Sequence, residues 1–158
     1  MLVVDRQPIK QAILNLISQC EFVRPINGFL TWAQPPSRRL KLWPNVDPGV
    51  QPAAYLLQHR ESYTTGGVGR LVRRYLDMGI WCYARTDDDS IVGDDLLDVM
   101  EMALETVLQP DDTTQNELTL GGLCYWCRIT REDGLFIRDP GDIDSQALLV
   151  LPVRVLIP

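Results

Sequence analysis

RLVRRYLDMGIWCYAR, running from Arg70 to Arg85, is the stretch that decides the fold. Val72, Leu76, Met78, Ile80, Cys82 and Ala84 share one parity, interrupted only by Arg74. The other parity carries Leu71, Arg73, Tyr75, Asp77, Gly79, Trp81, Tyr83 and Arg85. Side chains alternate across a strand, so one face is core-like and the other mixed. That is the pattern of a long strand in a sheet covered on one side.

Upstream, AAYLLQHRE from Ala53 to Glu61 predicts a strand bounded by Pro52. SYTTGGVG joins the two strands. Gly66, Gly67 and Gly69 fit neither phosphate-loop spacing and lie between strands rather than before a helix. The segment reads as a flexible connection, or as a loop that orders against a neighbouring subunit. Residues 24 to 52 hold Pro25, Pro35, Pro36, Pro44, Pro48 and Pro52, and no period survives there. A long loop is expected, with at most a short extended piece from Gly28 to Ala33. A loop of that length usually has a task or is mobile. Before it, Ile9, Ala12, Ile13, Leu16, Ile17 and Cys20 predict an amphipathic helix from Pro8 to Cys20, with Asp5 as N-cap.

Downstream, TDDDS at 86 to 90 is a turn. A second helix is expected from Val92 to Gln109, burying Leu96, Met100, Ala103, Leu104 and Val107 and ended by Pro110. Asp94 and Asp95 suit its positive N-terminal dipole. A polar loop then leads to Gly121 and Gly122, which open a strand from Leu123 to Glu132. Asp133-Gly134 is a turn, and Arg138 to Ser145 is another loop. The nearly all-apolar ALLVLPVRVLI, Ala147 to Ile157, fits a central strand, with Pro152 marking a bulge or an exposed edge. The expected fold is α+β: a mostly antiparallel sheet, two helices packed on one face, and a long Pro-rich loop after the first helix. One domain spans residues 1 to 158.

A formal net charge of -6 disfavours a dedicated nucleic-acid binder. No apolar run reaches the roughly 20 residues of a membrane span. The start lacks the layout of a signal peptide. Synthesis and folding in a cytoplasm, away from membranes, are expected.

Cys20, Cys82, Cys124 and Cys127 read as reduced core residues. Cys124-Tyr-Trp-Cys127 has no second ligand pair for zinc and does not open a helix, where a redox CxxC gains its low thiol pKa. Inside a strand its sulfurs would point to opposite faces. His59, the single histidine, reads as an ordinary strand side chain. Asp87, Asp88, Asp89, Asp94 and Asp95 lack the order of a calcium loop. Asp94, Asp98, Glu101 and Glu105 make an acidic helix stripe, ordinarily a solvated face. Arg38, Arg39 and Lys41, with Arg70, Arg73 and Arg74, form basic clusters that suit DNA contact or an acidic neighbouring subunit. Trp81 and Trp126 fall in strands, with room to be neighbours. Trp43 lies in the Pro-rich loop, where it would anchor a partner or pack back on its own domain. No catalytic, cofactor or metal constellation emerges, so no enzyme is expected. The contrary readings are a small thiol enzyme using Cys124 and Cys127 and a cytoplasmic regulatory binding module.

Three stretches resemble the tail terminator, or tail completion, proteins of long-tailed bacteriophages. Gln51-Pro52 through Gln58 to Glu61 resembles that family's QPA-apolar-Q-x-x-E strand. Leu120-Gly121-Gly122-Leu123 with the following aromatic and Cys-bearing strand resembles its second signature. Ala147 to Ile157 resembles its closing strand. The helix with LLDVMEMALE, the first helix and Arg24-Pro25 fit the same layout. The stretch from Gln34 to Val50 matches nothing distinctive. The resemblance implies a virion protein at the head-proximal end of the tail. Its copies would close into a ring, hexameric in the family, which caps the tail tube protein and stops polymerisation. The ring would join the tube to the head–tail connector or stopper and pass genomic DNA without sequence-specific binding. A connector, a stopper or a tail tube protein is the neighbouring alternative. Under this reading Trp43, Gly66, Gly67, Arg70, Arg73 and Arg74 are candidate interface residues. Asp94, Asp98, Glu101 and Glu105 are candidates to line the lumen.

Overall fold

The computed structural model describes residues 3–64, 73–110, 118–132, 134–142 and 145–158. Helix α1 spans Gln7–Ser18, where Ile9, Ile13 and Ile17 recur every four residues and are all buried. Pro8 sits in the first turn, where a missing N–H costs nothing. The N-cap is Arg6, not Asp5. The Asp5 carboxylate still accepts a hydrogen bond from the Gln7 N–H at 3.0 Å. Arg6 ties α1 to the sheet through Glu61, 2.6 Å away.

Five strands follow: β1 Ala53–Thr64, β2 Arg73–Arg85, β3 Trp126–Ile129, β4 Ile137–Asp139 and β5 Gln146–Ile157. Their order is β1-β2-β5-β3, with β4 also on β5, and every pairing is antiparallel. Helix α2, Gly93–Val107, enters between β2 and β3. Both helices pack on one face. Ile9, Ile13, Ile17, Leu97, Met100 and Leu104 share a core with Leu76, Met78, Ile80, Cys82 and Ala84 of β2 and with the odd-numbered positions 147–157 of β5.

Several local expectations fail for identifiable reasons. The strand expected from Leu123 shrinks to four residues, because Leu120, Gly121 and Gly122 all take positive φ in a turn. The expected loop from Arg138 to Ser145 begins inside β4, Ile137–Asp139, which is too short for any periodic signal. Leu97, absent from the expected α2 stripe, is fully buried, whereas Leu96 and Val107 are partly exposed. The helix touches β5, β4 and α1 at once, so its buried arc is wide and shifted. Gly28–Ala33 is no strand. It is a tight turn at Asn27 and Gly28, leading to the buried Trp32, whose indole N–H donates to the Ile17 carbonyl at 2.9 Å. That carbonyl lies in the last turn of α1 and also accepts from the Cys20 N–H at 3.1 Å.

Pro152 sits in the central strand, neither at a bulge nor on an outer edge. Its carbonyl accepts from the Thr130 N–H at 3.1 Å, on the side away from β2. A strand residue's N–H and C=O point the same way, so the missing N–H faces that side too. There the ladder with β3 has ended at Ile129 and that with β4 has not begun, so nothing is lost.

The Pro-rich loop covers part of the second sheet face. Leu40, Val46 and Val50 pack on Ala53, Tyr55 and Tyr83. The Tyr83 hydroxyl donates to the Lys41 carbonyl at 3.0 Å, and the Gln34 amide donates to the Tyr55 hydroxyl at 3.0 Å. Ser37 runs parallel beside Tyr55 on the outer edge of β1.

Candidate functional site

Beyond that loop, the second face carries a polar row across the whole sheet. Register places Arg60 of β1 opposite Asp77, Asp77 opposite Arg154, and Arg154 opposite Arg128. The Asp77 carboxylate accepts from Arg154 Nε at 2.7 Å, Arg60 Nε at 3.0 Å and Ser62 Oγ at 3.3 Å. Burial alone would raise the Asp77 pKa, but the Arg154 and Arg60 hydrogen bonds outweigh it and hold the carboxyl below its usual range. Aromatic rings brace the next row. Arg154 stacks 4.8 Å from the Tyr75 ring centroid, and Arg128 lies 4.2 Å over Trp126. Tyr75 and Trp126 are themselves 5.8 Å apart.

A β-bulge sets the row's other neighbour. Gln58 pairs with Met78 and Arg60 with Asp77, which leaves His59 as the extra residue. His59 is therefore not an ordinary strand side chain. Its ring lies over Gly79, where a Cβ would come within 2.7 Å of Nε2. That nitrogen accepts from the Trp81 indole N–H at 3.2 Å. Burial lowers the His59 pKa, with Asp77 opposing. A groove of about 630 Å³ runs from His59 and Asp77 to Thr130, Glu132 and Pro152. The polar atoms at its floor are already committed. The His59 Nε2 lone pair serves Trp81, and both Asp77 oxygens serve arginines. Such a surface is suited to contact rather than to proton transfer.

Of the acidic stripe of α2, Asp94, Asp98 and Glu105 keep exposed side chains, and only Glu101 is buried. Arg138 pairs with Leu149, whose side chain faces the core, so Arg138 also points to the helix side. There it meets Asp94 at 2.9 Å, Asp98 at 2.7 Å and Glu101. Arg131 meets Glu101 at 2.8 Å and also Glu105. Glu101 is 9% exposed. It therefore belongs to a seam between α2, β4 and the end of β3, not to an open wall. Asp94, Asp95 and Asp98 bring carboxylate oxygens close enough for a cation, but Arg138 already supplies one there.

Arg74 is 6% exposed and donates to the Pro158 carbonyl, which removes it from any open surface. Arg73 is exposed at the start of β2. Gly66, Gly67 and Arg70 lie outside the described residues, as does the side chain of Trp43, whose backbone begins a short 3-10 turn. Trp81 and Trp126 are not neighbours. They sit opposite Val150 and Leu156, about 20 Å apart along β5 at roughly 3.3 Å per residue.

Cys124 and Cys127 both enter the same core, against the expectation of opposite faces. Cys124 precedes the strand, so strand parity does not govern it. Burial pushes the Cys124 thiol up to about 11 and the Cys20 thiol up to about 12, and raises Cys82 and Cys127 as well. Thiolate chemistry is disfavoured at all four.

Sequence reasoning missed Arg128, Arg131, Arg138 and Arg154. The apolar run ALLVLPVRVLI held one signal, a lone cation in an apolar strand, which needs a partner when half-buried. Arg131 and Arg138 carry no signal in the chain, because their carboxylate partners are 26 or more residues away. The chain matches no protein-family model, and comparison with curated proteins finds no relative.

Proposed function

We propose that this chain is a structural protein of a bacteriophage tail, and that it acts as the ring-forming terminator at the head-proximal end of the tube. One observation carries the reading. The three stretches that resemble the terminator family converge in one antiparallel sheet: Gln51 to Glu61 supplies most of β1, Leu120 to Leu123 is the turn into β3, and Ala147 to Ile157 is the central β5. Two helices on one face complete the layout the resemblance implies. The candidate chemistry points away from an enzyme, since the thiols are buried in protonated form and His59 is spent on Trp81. The function would then be geometric. A heterologous contact closes a ring, one ring face accepts the tube end, and the other does not propagate it. Of the candidate lumen residues only Glu101 is set aside, because it is buried in the seam with Arg131 and Arg138, whereas Asp94, Asp98 and Glu105 keep exposed side chains.

Imaging of intact tails that carry this chain, with its copy number measured by mass, tests the reading. A single ring at the head-proximal end is expected. Many copies along the tube make it a tube protein, copies within the head–tail joint make it a connector or stopper, and absence from tails removes the proposal.

A further inference from the structure

The proposed ring needs two different surfaces on each copy, and the charges supply a matched pair. Beyond Ser37, which runs beside Tyr55 on the edge of β1, the loop exposes Arg38, Arg39 and Lys41. None of the three forms an ion pair among the described residues. Lys10 of α1 adds to the same field. Burial first, then repulsion from Arg38 and Arg6, lowers its pKa, with Glu61 opposing. Beside these cations Leu42 is 61% exposed.

The approach to α2 has the complementary character. The start of α2 packs on Pro140, just after β4, because Gly93 has no room there for a side chain. It therefore lies at the sheet edge farthest from β1. Leading into it, Asp87, Asp88 and Asp89 are exposed, as is Asp95 in the first turn. None of these four is in an ion pair among the described residues. Asp94 and Asp98 are already taken by Arg138, so they do not count toward this patch. Beside the carboxylates Val92 is 58% exposed. Each patch thus offers an apolar centre with a charged rim, the ordinary anatomy of a protein contact.

We infer that Arg38, Arg39, Lys41 and Leu42 of one copy dock on Asp87, Asp88, Asp89, Asp95 and Val92 of the next, and that this contact closes the ring. The two patches are made of different residues of opposite charge, so the contact is head-to-tail rather than two-fold. The inference rests on the ring reading and names its interface.

Charge reversal tests it through sedimentation at low ionic strength. One variant carries Arg38→Glu, Arg39→Glu and Lys41→Glu. The other carries Asp87→Lys, Asp88→Lys and Asp89→Lys. All six positions are solvent-exposed, and unchanged thermal melts check that both variants fold. The wild type should associate, with affinity falling at least about tenfold from roughly 0.1 to 1 M salt as screening shortens. Each variant alone should be monomeric, since both of its patches then carry one sign. An equimolar mixture should restore assembly with alternating copies. Variants that assemble alone like the wild type overturn this interface and leave the ring standing. A mixture that stays monomeric while the wild type assembles overturns it too. If wild type and mixture are both monomeric, this contact does not drive assembly, and the tail reading is then judged by copy number in the tail itself.

Discussion

Gly79 and His59 form a pair that neither residue announces alone. The bulge turns His59 onto the mixed face, and only a residue without a Cβ leaves room beneath it. Gly79→Ala should displace the imidazole from Trp81 and cost about 1–2 kcal/mol, the usual scale of overpacking. As the chain has one histidine, its NMR titration reads the change directly. The pKa should move up toward 6.5 as the ring leaves its buried site. A titration unchanged by the substitution would show that the ring does not rest there. The lowered His59 pKa also has a stability consequence. Below pH 6.5 the unfolded chain takes up a proton that the folded chain refuses, so stability falls as pH falls until the folded pKa is reached. Asp77 acts in a lower window. Its folded pKa is depressed, so its contribution is present above the unfolded value near 3.8 and is lost as pH falls through the folded one. Asp77→Asn should cost about 2 kcal/mol at neutral pH, by removing the Asp77 charge from its hydrogen bonds with Arg154 and Arg60. It should also flatten the acid limb of urea unfolding measured against pH.

At the scale of elements, α2 is fixed by two contacts the hydrophobic pattern does not contain. Its first residue abuts the Pro140 carbonyl, so Gly93→Ala should destabilise by about 3 kcal/mol or more. Helix propensity alone would favour alanine by about 1 kcal/mol, so the sign of the measured change decides between local preference and packing. Further along, Glu101 accepts from both Arg131 and Arg138. A double-mutant cycle between Glu101 and Arg138 should give a coupling of about 1–2 kcal/mol. The same cycle for the more exposed Asp98 should stay below about 1 kcal/mol. Equal couplings would mean that the seam is no more than surface charge. The helix itself was legible in the sequence to within two residues at its C-terminal end. Its orientation was not, since an acidic stripe looks the same whether it faces water or two arginines from later strands.

Across the whole molecule, all four cysteines sit inside one core. A thiol reagent should leave the native protein almost untouched and modify all four thiols once it is denatured. Modification slower than global unfolding agrees with this. Fast labelling of Cys124 or Cys127 in the folded state would reopen a thiol role for that pair. Retained assembly of a Cys124→Ser, Cys127→Ser double variant would make the same point in the proposed ring.

What the sequence determined by itself is the material of each layer. Alternation in β2, the apolar run of β5 and the four-residue spacing in α1 are properties of neighbouring residues, so the α+β class was legible locally. Tertiary structure decided what the charged residues do. Asp77, Glu101, Arg138 and Arg154 draw their environment from partners far along the chain, and periodicity holds no record of distance. It also decided that the Pro-rich loop packs on the second face, because a segment without a repeat reveals its burial only once the sheet beneath it exists.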